Sequence, residues 1–308
     1  MIPTSSDFRP EPPPAVPVLE YLDVCGYGGM SVVWRAHHRV LDRILAVKVL
    51  DREFSQSKED VEQFMTEGRT MAFLNHPGIV HGYGVLETEG RYLYMMDYVK
   101  GYSVGNFLKR KTRLQEVDAR IVLLSVAEAL DYAWSNFRII HCDLKPDNLM
   151  ICVDGSVKIT DLGLAHEVTA QDTAIPLGAE VDIEGTPAYM SPEQIRGDAL
   201  DCRSDIYSLG ATLYHLITGR VLFAGYSSDD SIRAHINPDC RAPDPRQYAP
   251  ATSSGFANLL ANMLVKNRDE RFSSWKELLA AADELEAGKP ISPPFGVSSI
   301  AVQQEPTT

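Results

Sequence analysis

The pattern of apolar and polar positions changes character near residue 100. Between residues 18 and 50, three apolar runs rich in β-branched residues are separated by turn residues: "VLEYLDVC", "SVVWRAHH" and "RILAVKVL". Such runs predict an antiparallel meander. Residues 58–74 place apolar side chains three and four positions apart, which predicts a helix that "HPG" ends. The run "RYLYMMDYV" (91–99) predicts a further strand.

Beyond residue 100 the pattern becomes helical. Residues 117–134 are apolar almost all round, which predicts a buried central helix, and residues 205–219 predict a second one. A β-rich first part followed by a helical second part favours an α+β protein of two lobes with a cleft where they meet.

The two ends differ in composition from the middle. "RPEPPPAVP" (9–17) is rich in proline, so residues 1–17 are expected to be extended or disordered. Residues 288–308 are typical of a flexible tail or linker. We therefore place the folded part at 18–287, with lobes at about 18–98 and 101–287.

Composition and charge exclude several classes of function. The chain of 308 residues is 44% hydrophobic and 23% charged, and its formal net charge is -13. An acidic protein of this kind is not expected to bind nucleic acid or anionic membranes. Its 5 cysteines are scattered without a CxxC pair, which argues against a zinc site and favours a cytoplasmic location. The sequence contains no signal peptide and no long apolar run, so no membrane segment is expected.

A predicted hairpin gathers oxygen ligands. Asp154 and Gly155 lie between two β-rich runs, which indicates a two-residue turn. Pairing across such a turn would set Asn148 opposite Asp161, where two oxygen donors could hold Mg²⁺ and leave positions for phosphates. Asp143 and Lys145 lie on the loop that enters the same end, where a carboxylate could accept a hydroxyl proton and a lysine could neutralise phosphoryl charge.

A second group of residues suits phosphate binding. "CGYGGMSVVW" (25–34) places glycines in a turn between strands, where backbone N–H groups can approach phosphate oxygens. "LAVKVL" offers Lys48 as the one charge of an apolar strand, and a buried lysine needs a partner. Glu67 on the next helix is its natural partner.

Taken in order, these segments resemble the protein kinase family over about residues 20–285. The resemblance rests on nine motifs: "GYGGMSVV", "AVKV", "MTEGRTMAFLNHPGIV", "MMDYVKG", "HCDLKPDN", "DLG", "GTPAYMSPEQ", "SDIYSLG" and "RDERF". "GGMSVV", "LNHPGIV" and "GTPAYMSPEQ" are most similar to bacterial Ser/Thr kinases of eukaryotic type. The resemblance implies a two-lobed kinase-like fold, with a β-rich N-lobe that carries one main helix and a mainly helical C-lobe.

The resemblance also implies ATP and Mg²⁺ as cofactors and assigns roles to residues. Lys48, held by Glu67, would orient the α- and β-phosphates, and Asp161 and Asn148 would bind Mg²⁺. Asp143 would orient or deprotonate the substrate hydroxyl, and Lys145 would contact the γ-phosphate. The residues expected to surround the nucleotide are Cys25, Gly26, Tyr27, Gly28, Gly29, Met30, Ser31, Val32, Val33, Ala46, Met96, Asp97, Val99 and Met150.

The remaining implied roles are structural or concern the substrate. Asp205 would support the catalytic loop, Arg271 would pair with Glu193, and His141 would stack with Met71 and Leu162 in an apolar spine. Lys145 and Thr186 favour serine or threonine of protein substrates as the acceptor. The sequence leaves a homodimer open.

Cys142 departs from the family, which usually has an arginine there that pairs with a phosphorylated activation loop. We therefore expect activity without phosphate sensing at this position. A small apolar filler and a reactive thiol are both readings of Cys142, and the filler is preferred. Thr169 and Thr173 remain candidate phosphorylation sites.

Two other functions share part of this pattern. A pseudokinase that scaffolds partners would lack some of the catalytic set, but Lys48, Glu67, Asp143, Lys145, Asn148 and Asp161 are all present. A small-molecule kinase would share the ATP-binding residues but would not be expected to carry "GTPAYMSPEQ". The preferred function is an active Ser/Thr protein kinase.

Overall fold

The computed structural model describes residues 10–162, 166–167 and 187–294. These residues form two compact units. Unit 1 holds the described residues up to 101 together with 160–162, and unit 2 holds the remainder. The candidate phosphorylation sites Thr169 and Thr173, and Thr186, lie outside the described residues.

Strands dominate unit 1 and are short in unit 2. In chain order the strands are β1 (Leu19–Tyr27), β2 (Ser31–His38), β3 (Arg43–Leu50), β4 (Gly82–Thr88), β5 (Arg91–Asp97), β6 (Gly101–Ser103), β7 (Ile139–Ile140), β8 (Leu149–Cys152), β9 (Val157–Ile159) and β10 (His166–Glu167). The α-helices are α1 (Lys58–Phe73), α2 (Val104–Lys111), α3 (Glu116–Phe137), α4 (Pro192–Arg196), α5 (Cys202–Thr218), α6 (Ser228–Ile236), α7 (Ser254–Met263) and α8 (Trp275–Glu286). The predicted α+β class is confirmed.

Unit 1 is built on a five-stranded sheet with the order β1-β2-β3-β5-β4. Its neighbouring strands pair antiparallel, so the predicted meander is confirmed. Ser57 caps the N-terminus of helix α1, and its side chain accepts from the backbone N–H of Asp60. One face of the sheet buries the apolar side chains of Ala36, Val47 and Leu93, as the alternation of the strands requires.

The segment before β1 packs onto this sheet. Residues 10–17 carry no helix or strand, yet Pro14 and Val16 are buried. Glu11 pairs with Arg91 at 3.4 Å and with Arg52 at 2.6 Å. The folded part therefore extends before residue 18, where the sequence placed its start, because Val16 completes the apolar cluster of the sheet.

Unit 2 is arranged around helix α5, in which 15 of the 17 residues are buried. Gly219 ends the helix in the left-handed conformation, at φ +71. Helix α3 was predicted to be apolar almost all round, but Val117 and Ile121 are 65% and 47% exposed. One face of α3 is buried through alanines, valines and leucines, so the helix is amphipathic.

The hairpin β8–β9 differs from its prediction by one residue. Leu149 pairs with Ile159 and Ile151 with Val157, so the loop has three residues, 153–155, and not two. Gly155 adopts φ +85 and donates to the carbonyl of Cys152, as in a turn followed by a bulge. The predicted register, on which the pairing of Asn148 with Asp161 was based, is therefore wrong by one residue.

The chain beyond helix α8 is attached to unit 2 for several residues. Ile291 is buried, and its carbonyl accepts from the side chain of Asn258 at 2.7 Å. Asn262 donates to the carbonyl of Ser292 at 2.8 Å. Ile291 and Ser292, which the sequence placed in a flexible tail, are therefore held against unit 2. Among the helices of the described ranges, none combines the length and the apolar character that a membrane span needs.

Candidate active site

The Gly-rich turn joins strands β1 and β2 in unit 1. Tyr27 pairs with Val32, and the N–H of Gly28 donates to the carbonyl of Ser31 at 2.8 Å. A Cβ placed on Gly29 would meet no atom within 4 Å, so no contact within the described residues requires glycine there. An open position at the tip of a glycine turn suits close approach by a ligand.

Ser31 stands where the family has its third glycine. It is 3% exposed, and its hydroxyl would lie 2.8 Å from a Cβ on Gly28. The turn thus accommodates Ser31 by using glycine at 28. The neighbouring Cys25 is exposed as a residue, but burial of its thiol against the strand raises its pKa to about 11.

Lys48 lies on strand β3 and is 9% exposed. Its Nζ lies 2.8 and 3.0 Å from the two carboxylate oxygens of Glu67 and 2.9 Å from Oδ1 of Asp161. Burial alone would lower the pKa of Lys48, but the charges of Asp161 and Glu67 outweigh it and raise that pKa. The lysine is therefore a permanent cation held between two carboxylates.

Glu67 reaches this position because helix α1 lies close to the sheet. A Cβ on the adjacent Gly68 would collide with Val85 and contact Tyr94, so glycine permits the approach. The hydroxyl of Tyr94 donates to Oε1 of Glu67 at 2.5 Å. Burial raises the pKa of Glu67 to about 7, and Lys48 partly offsets this effect.

The motif "MMDYVKG" (95–101) spans the end of strand β5 and the residues that follow it. Met96 is buried and pairs with Ala46 of strand β3. Asp97 donates its backbone N–H to His81 and accepts side-chain bonds from Arg43 at 2.8 Å and Tyr83 at 2.7 Å. Oδ1 of its carboxylate and its backbone N–H are therefore both engaged within the sheet.

Asp161 and Leu162 are the last residues of unit 1 that the structure describes. The side chain of Asp161 is 45% exposed, and its backbone adopts φ +64. Leu162 is 3% exposed, and Met71 on helix α1 is fully buried. Val33 on strand β2 and Val99 after strand β5 are half-buried.

The loop "HCDLKPDN" (141–148) of unit 2, expected to be the catalytic loop, brings together three of the predicted residues. Lys145 donates from Nζ to Oδ2 of Asp143 at 2.6 Å. Asn148 donates from Nδ2 to the same oxygen at 3.1 Å and to the backbone carbonyl of Asp143 at 2.9 Å. Since both bonds use the nitrogen, the amide oxygen of Asn148 is turned away from Asp143. Met150 lies just beyond, half-buried on strand β8.

Asp205 supports this loop from helix α5. Its carboxylate accepts the backbone N–H groups of His141 at 2.7 Å and Cys142 at 2.9 Å. Burial raises the pKa of Asp205, although the hydrogen bonds and His141 act against the rise. The two N–H groups leave the carboxylate well satisfied in a buried position.

Cys142 has the backbone conformation that the loop requires. Its φ is +64, a left-handed value that side chains with a Cβ rarely adopt. Its thiol is buried, and burial followed by the charges of Asp205 and Asp143 raises its pKa well above the ordinary value. These surroundings favour Cys142 as a small apolar side chain that fills space over Cys142 as a reactive thiol.

A buried ion pair joins two distant parts of unit 2. Arg271 donates to Glu193 at 2.8 and 3.2 Å, and the side chains are 0% and 3% exposed. Ser204 donates to the same carboxylate at 2.9 Å. Burial alone would raise the pKa of Glu193, but Arg271 reverses this and lowers it.

The sequence pattern did not predict three contacts of the candidate site residues. Tyr94 bonds Glu67, the side chain of Asp97 bonds the sheet, and Gln194 donates to the carbonyl of Cys142 at 2.6 Å. Only Gln194 carried a local signal, because Ser191 and Gln194 have the spacing of a capping box. That motif predicts the start of a helix and says nothing about the loop that the amide reaches.

Comparison with known proteins agrees with this arrangement. Residues 19–282 match the protein kinase domain family. The chain is 38% identical to serine/threonine-protein kinase PknA of Mycobacterium tuberculosis over 267 residues, which cover 85% of this chain and 60% of the relative. It is 34% identical to serine/threonine-protein kinase PknB of Mycobacterium leprae over 276 residues, which cover 88% of this chain and 43% of the relative.

The chain thus spans 60% of the first of these relatives and 43% of the second. The fold described above, a five-stranded antiparallel sheet with helix α1 followed by a mainly helical region, is the kinase fold. On the match to residues 19–282 and these identities, the chain belongs to the protein kinase family.

Proposed function

We propose that this chain is a Ser/Thr protein kinase that transfers the γ-phosphoryl group of ATP to hydroxyl groups of proteins. The observation that carries the proposal is the loop in which Lys145 and Asn148 both contact the Asp143 carboxylate, at 2.6 and 3.1 Å. The printed names of the relatives are those of serine/threonine-protein kinases, which supports the same acceptor class.

The residues of unit 1 suit the binding of a nucleoside triphosphate. Lys48 stays protonated between Glu67 and Asp161, so it can present a fixed positive charge to phosphate oxygens. The open position at Gly29 gives phosphates room beside backbone N–H groups. The residues from Cys25 to Val33, with Ala46, Met96, Asp97, Val99 and Met150, are assigned to the nucleotide.

Asp161 and Asn148 are the oxygen donors that we assign to Mg²⁺. The side chain of Asp161 is partly exposed, and the amide oxygen of Asn148 is turned away from Asp143. Hard oxygen donors of this kind, few in number, suit Mg²⁺ that also binds phosphates. When bound, the Mg²⁺–ATP complex supplies the phosphoryl group and neutralises much of its charge.

Asp143 and Lys145 act on the acceptor and on the moving charge. The Asp143 carboxylate is positioned to accept the proton of a serine or threonine hydroxyl. Lys145 holds that carboxylate in place and supplies positive charge for the phosphoryl oxygens. The loop at 141–148 is stabilised by Asp205 and His141. The segment around Glu193 is stabilised by its ion pair with Arg271.

The acceptor and the control of activity are the finer parts of the proposal. Lys145 and Thr186 support serine or threonine as the acceptor. Cys142 is buried and carries no positive charge, so it offers no partner for a phosphorylated activation loop. We infer that activity does not depend on phosphate sensing at this position.

Labelled ATP with Mg²⁺ tests the activity directly. The wild-type chain should phosphorylate itself or a generic protein, and the variant Asp143→Asn should reduce the rate by about 10³-fold or more. Equal labelling by the two proteins would contradict the role of Asp143. Phosphoamino-acid analysis that found only phosphotyrosine would contradict the acceptor class.

Single substitutions of Thr169 and Thr173 by valine test the inference from Cys142. Each variant should keep activity within about twofold of wild type, because no cation at position 142 reads a phosphate. A large loss at either position that phosphatase treatment of the wild type reproduces would overturn it. Thr186 is left out because it is assigned to the substrate side.

A further inference from the structure

The peptide bond that precedes Asp143 is held at both of its polar ends. Its N–H, on Asp143, donates to Nδ1 of His141 at 3.2 Å. Its carbonyl, on Cys142, accepts from Nε2 of Gln194 at 2.6 Å. Because this peptide plane leads directly to the Cα of Asp143, its orientation decides from where the carboxylate projects.

The backbone at this point has to be held against its own preference. Cys142 adopts φ +64, where an L-residue with a Cβ is disfavoured. Asp205 fixes the N–H of Cys142 at 2.9 Å, and Gln194 fixes its carbonyl. A strained conformation persists when its surroundings over-determine it in this way.

Gln194 is itself fixed before it reaches the loop. Its Oε1 accepts a hydrogen bond from the backbone N–H of Ser191 at 3.0 Å. The backbone N–H of Gln194 donates to the Ser191 hydroxyl at 3.3 Å. The hydroxyl of Ser208 lies 3.5 Å from the same Oε1. With 6% of its surface exposed, the amide has both its acceptor and its donor engaged inside the protein.

This position requires an amide and not a carboxylate. Glutamate would cap helix α4 as well as glutamine does, because the cap uses only an acceptor oxygen. It would, however, direct an ionised oxygen at the carbonyl oxygen of Cys142 in a buried place. Only a side chain with both a donor and an acceptor satisfies Ser191 and Cys142 at once.

We propose that Gln194 is a positioning residue for phosphoryl transfer, whose side-chain amide holds the Cys142–Asp143 peptide bond and thereby the Asp143 carboxylate in its working orientation. The inference rests on the proposed function, in which Asp143 receives the hydroxyl proton. It also explains how a loop without a charged side chain at position 142 keeps its shape: helix α4 supplies the contact from within unit 2.

The variant Gln194→Glu tests this in the full chain, since it keeps the cap and removes the donor. We expect kcat to fall about tenfold or more, with KM for ATP within about twofold of wild type, because a misplaced acceptor carboxylate slows the chemical step. Gln115→Glu is the matched control. Gln115 is exposed at the start of helix α3 and its side chain makes no capping bond, so the same charge change should leave kcat unaltered.

The pH profile separates positioning from a general loss of structure. The buried carboxyl group that Gln194→Glu introduces has a raised pKa, so it gains a donor O–H as the pH falls from about 8 to about 6. The ratio of variant to wild-type kcat should rise over this range. The charged groups near the loop, Asp143, Lys145, Asp205 and the pair Glu193–Arg271, are present in both proteins and cancel in the ratio. Gln194→Met, which lacks the donor at every pH, should lose kcat without this recovery.

A second measurement does not depend on kinase activity. Labelling of the Cys142 thiol by iodoacetamide in the native protein should be about fivefold or more faster in Gln194→Glu and Gln194→Met than in wild type or Gln115→Glu. Cys25 of unit 1, whose slow labelling should be the same in all four proteins, serves as the internal reference for each sample. Faster labelling of Cys142 in both variants supports the contact even if the wild type transfers no phosphate. The absence of phosphate transfer by the wild type would overturn the proposed function instead.

Three results would overturn the inference. The first is wild-type kcat in Gln194→Glu. The second is a kcat loss equal to the loss of folded protein measured by circular dichroism, with no recovery at lower pH. The third is unchanged labelling of Cys142 in both Gln194 variants.

Discussion

Two buried lysines, one in each unit, differ in what surrounds them. Lys48 is 9% exposed and Lys266 is 8% exposed. Lys48 contacts two carboxylates, and its pKa is raised. Lys266 donates to the hydroxyl of Tyr207 at 3.0 Å and lies 4.4 Å from the ring centre of Phe223, and burial lowers its pKa to about 7.

The difference teaches that burial alone does not decide the charge of a lysine. Both amines lose water, which disfavours the cation in each case. In unit 1 the carboxylates of Glu67 and Asp161 more than offset that loss. In unit 2 aromatic rings offset only part of it, and within the described ranges no carboxylate forms an ion pair with Lys266. A charge is thus maintained where the proposed chemistry uses it.

Replacing the lysine of unit 1 should have the largest effect. Lys48→Met should lower the rate of phosphoryl transfer by about 10²- to 10³-fold, because a preorganised cation is lost from the phosphate site. The rate is measured with labelled ATP. Lys58→Met, at an exposed position of helix α1, is the control and should keep wild-type activity. Activity within tenfold of wild type in Lys48→Met would contradict the claim that phosphoryl transfer uses the charge of Lys48.

Replacing the lysine of unit 2 should stabilise the protein. Lys266→Met should raise the free energy of unfolding by about 2–3 kcal/mol near pH 6, because it removes a buried cation that has no carboxylate partner. The folded pKa of about 7 lies below the unfolded value of 10.5, so the wild-type penalty is complete below pH 7. It shrinks as the pH rises towards the unfolded pKa, and so should the gain.

Urea unfolding at about pH 6 and about pH 9 measures this difference. Lys276→Met, at an exposed position of helix α8, controls for the change of side chain. A destabilised Lys266→Met at the lower pH would show that the rings of Tyr207 and Phe223 offset the whole cost of the buried charge.

Removing one hydroxyl from each lysine site should have the smallest effects. Tyr94→Phe deletes the bond to the Glu67 carboxylate and should cost about 1–2 kcal/mol of unfolding free energy. Tyr207→Phe deletes bonds to Lys266 and His235 and should cost about 1 kcal/mol at about pH 8, where most of the Lys266 amine is neutral. Both are measured by urea unfolding at one pH. A larger loss for Tyr207 than for Tyr94 would reverse the ranking of the two sites.

The sequence predicted the fold class and two of the ion pairs. The pair of Lys48 with Glu67 could be inferred because a charge in an apolar strand needs a partner nearby. The pair of Glu193 with Arg271 followed from the family resemblance and lies in the same state of burial. Opposite charges within apolar segments carry their own signal.

Contacts from side chains to backbone could not be predicted from spacing or charge. Gln194 reaches the carbonyl of Cys142 across 52 positions, and a backbone carbonyl looks the same at every position. The register of the hairpin failed for a related reason. Asp154–Gly155 is compatible with loops of two or three residues, and a positive φ at Gly155 occurs in both. The pairing of Ile151 with Val157 shows the longer loop, in which Asp154 does not adopt the positive φ that a two-residue type I′ turn requires.

The segment ahead of strand β1 decides where a recombinant fragment of this protein should start. A fragment that begins at residue 18 would discard Glu11 and the carbonyl of Pro12, which lie 3.4 and 3.5 Å from the guanidinium of the 4%-exposed Arg91. It would also remove Val16 from the apolar cluster of the sheet and increase the solvent exposure of Val47 and Leu93. Expression yield and shelf life would then depend on a boundary drawn only a few residues too late.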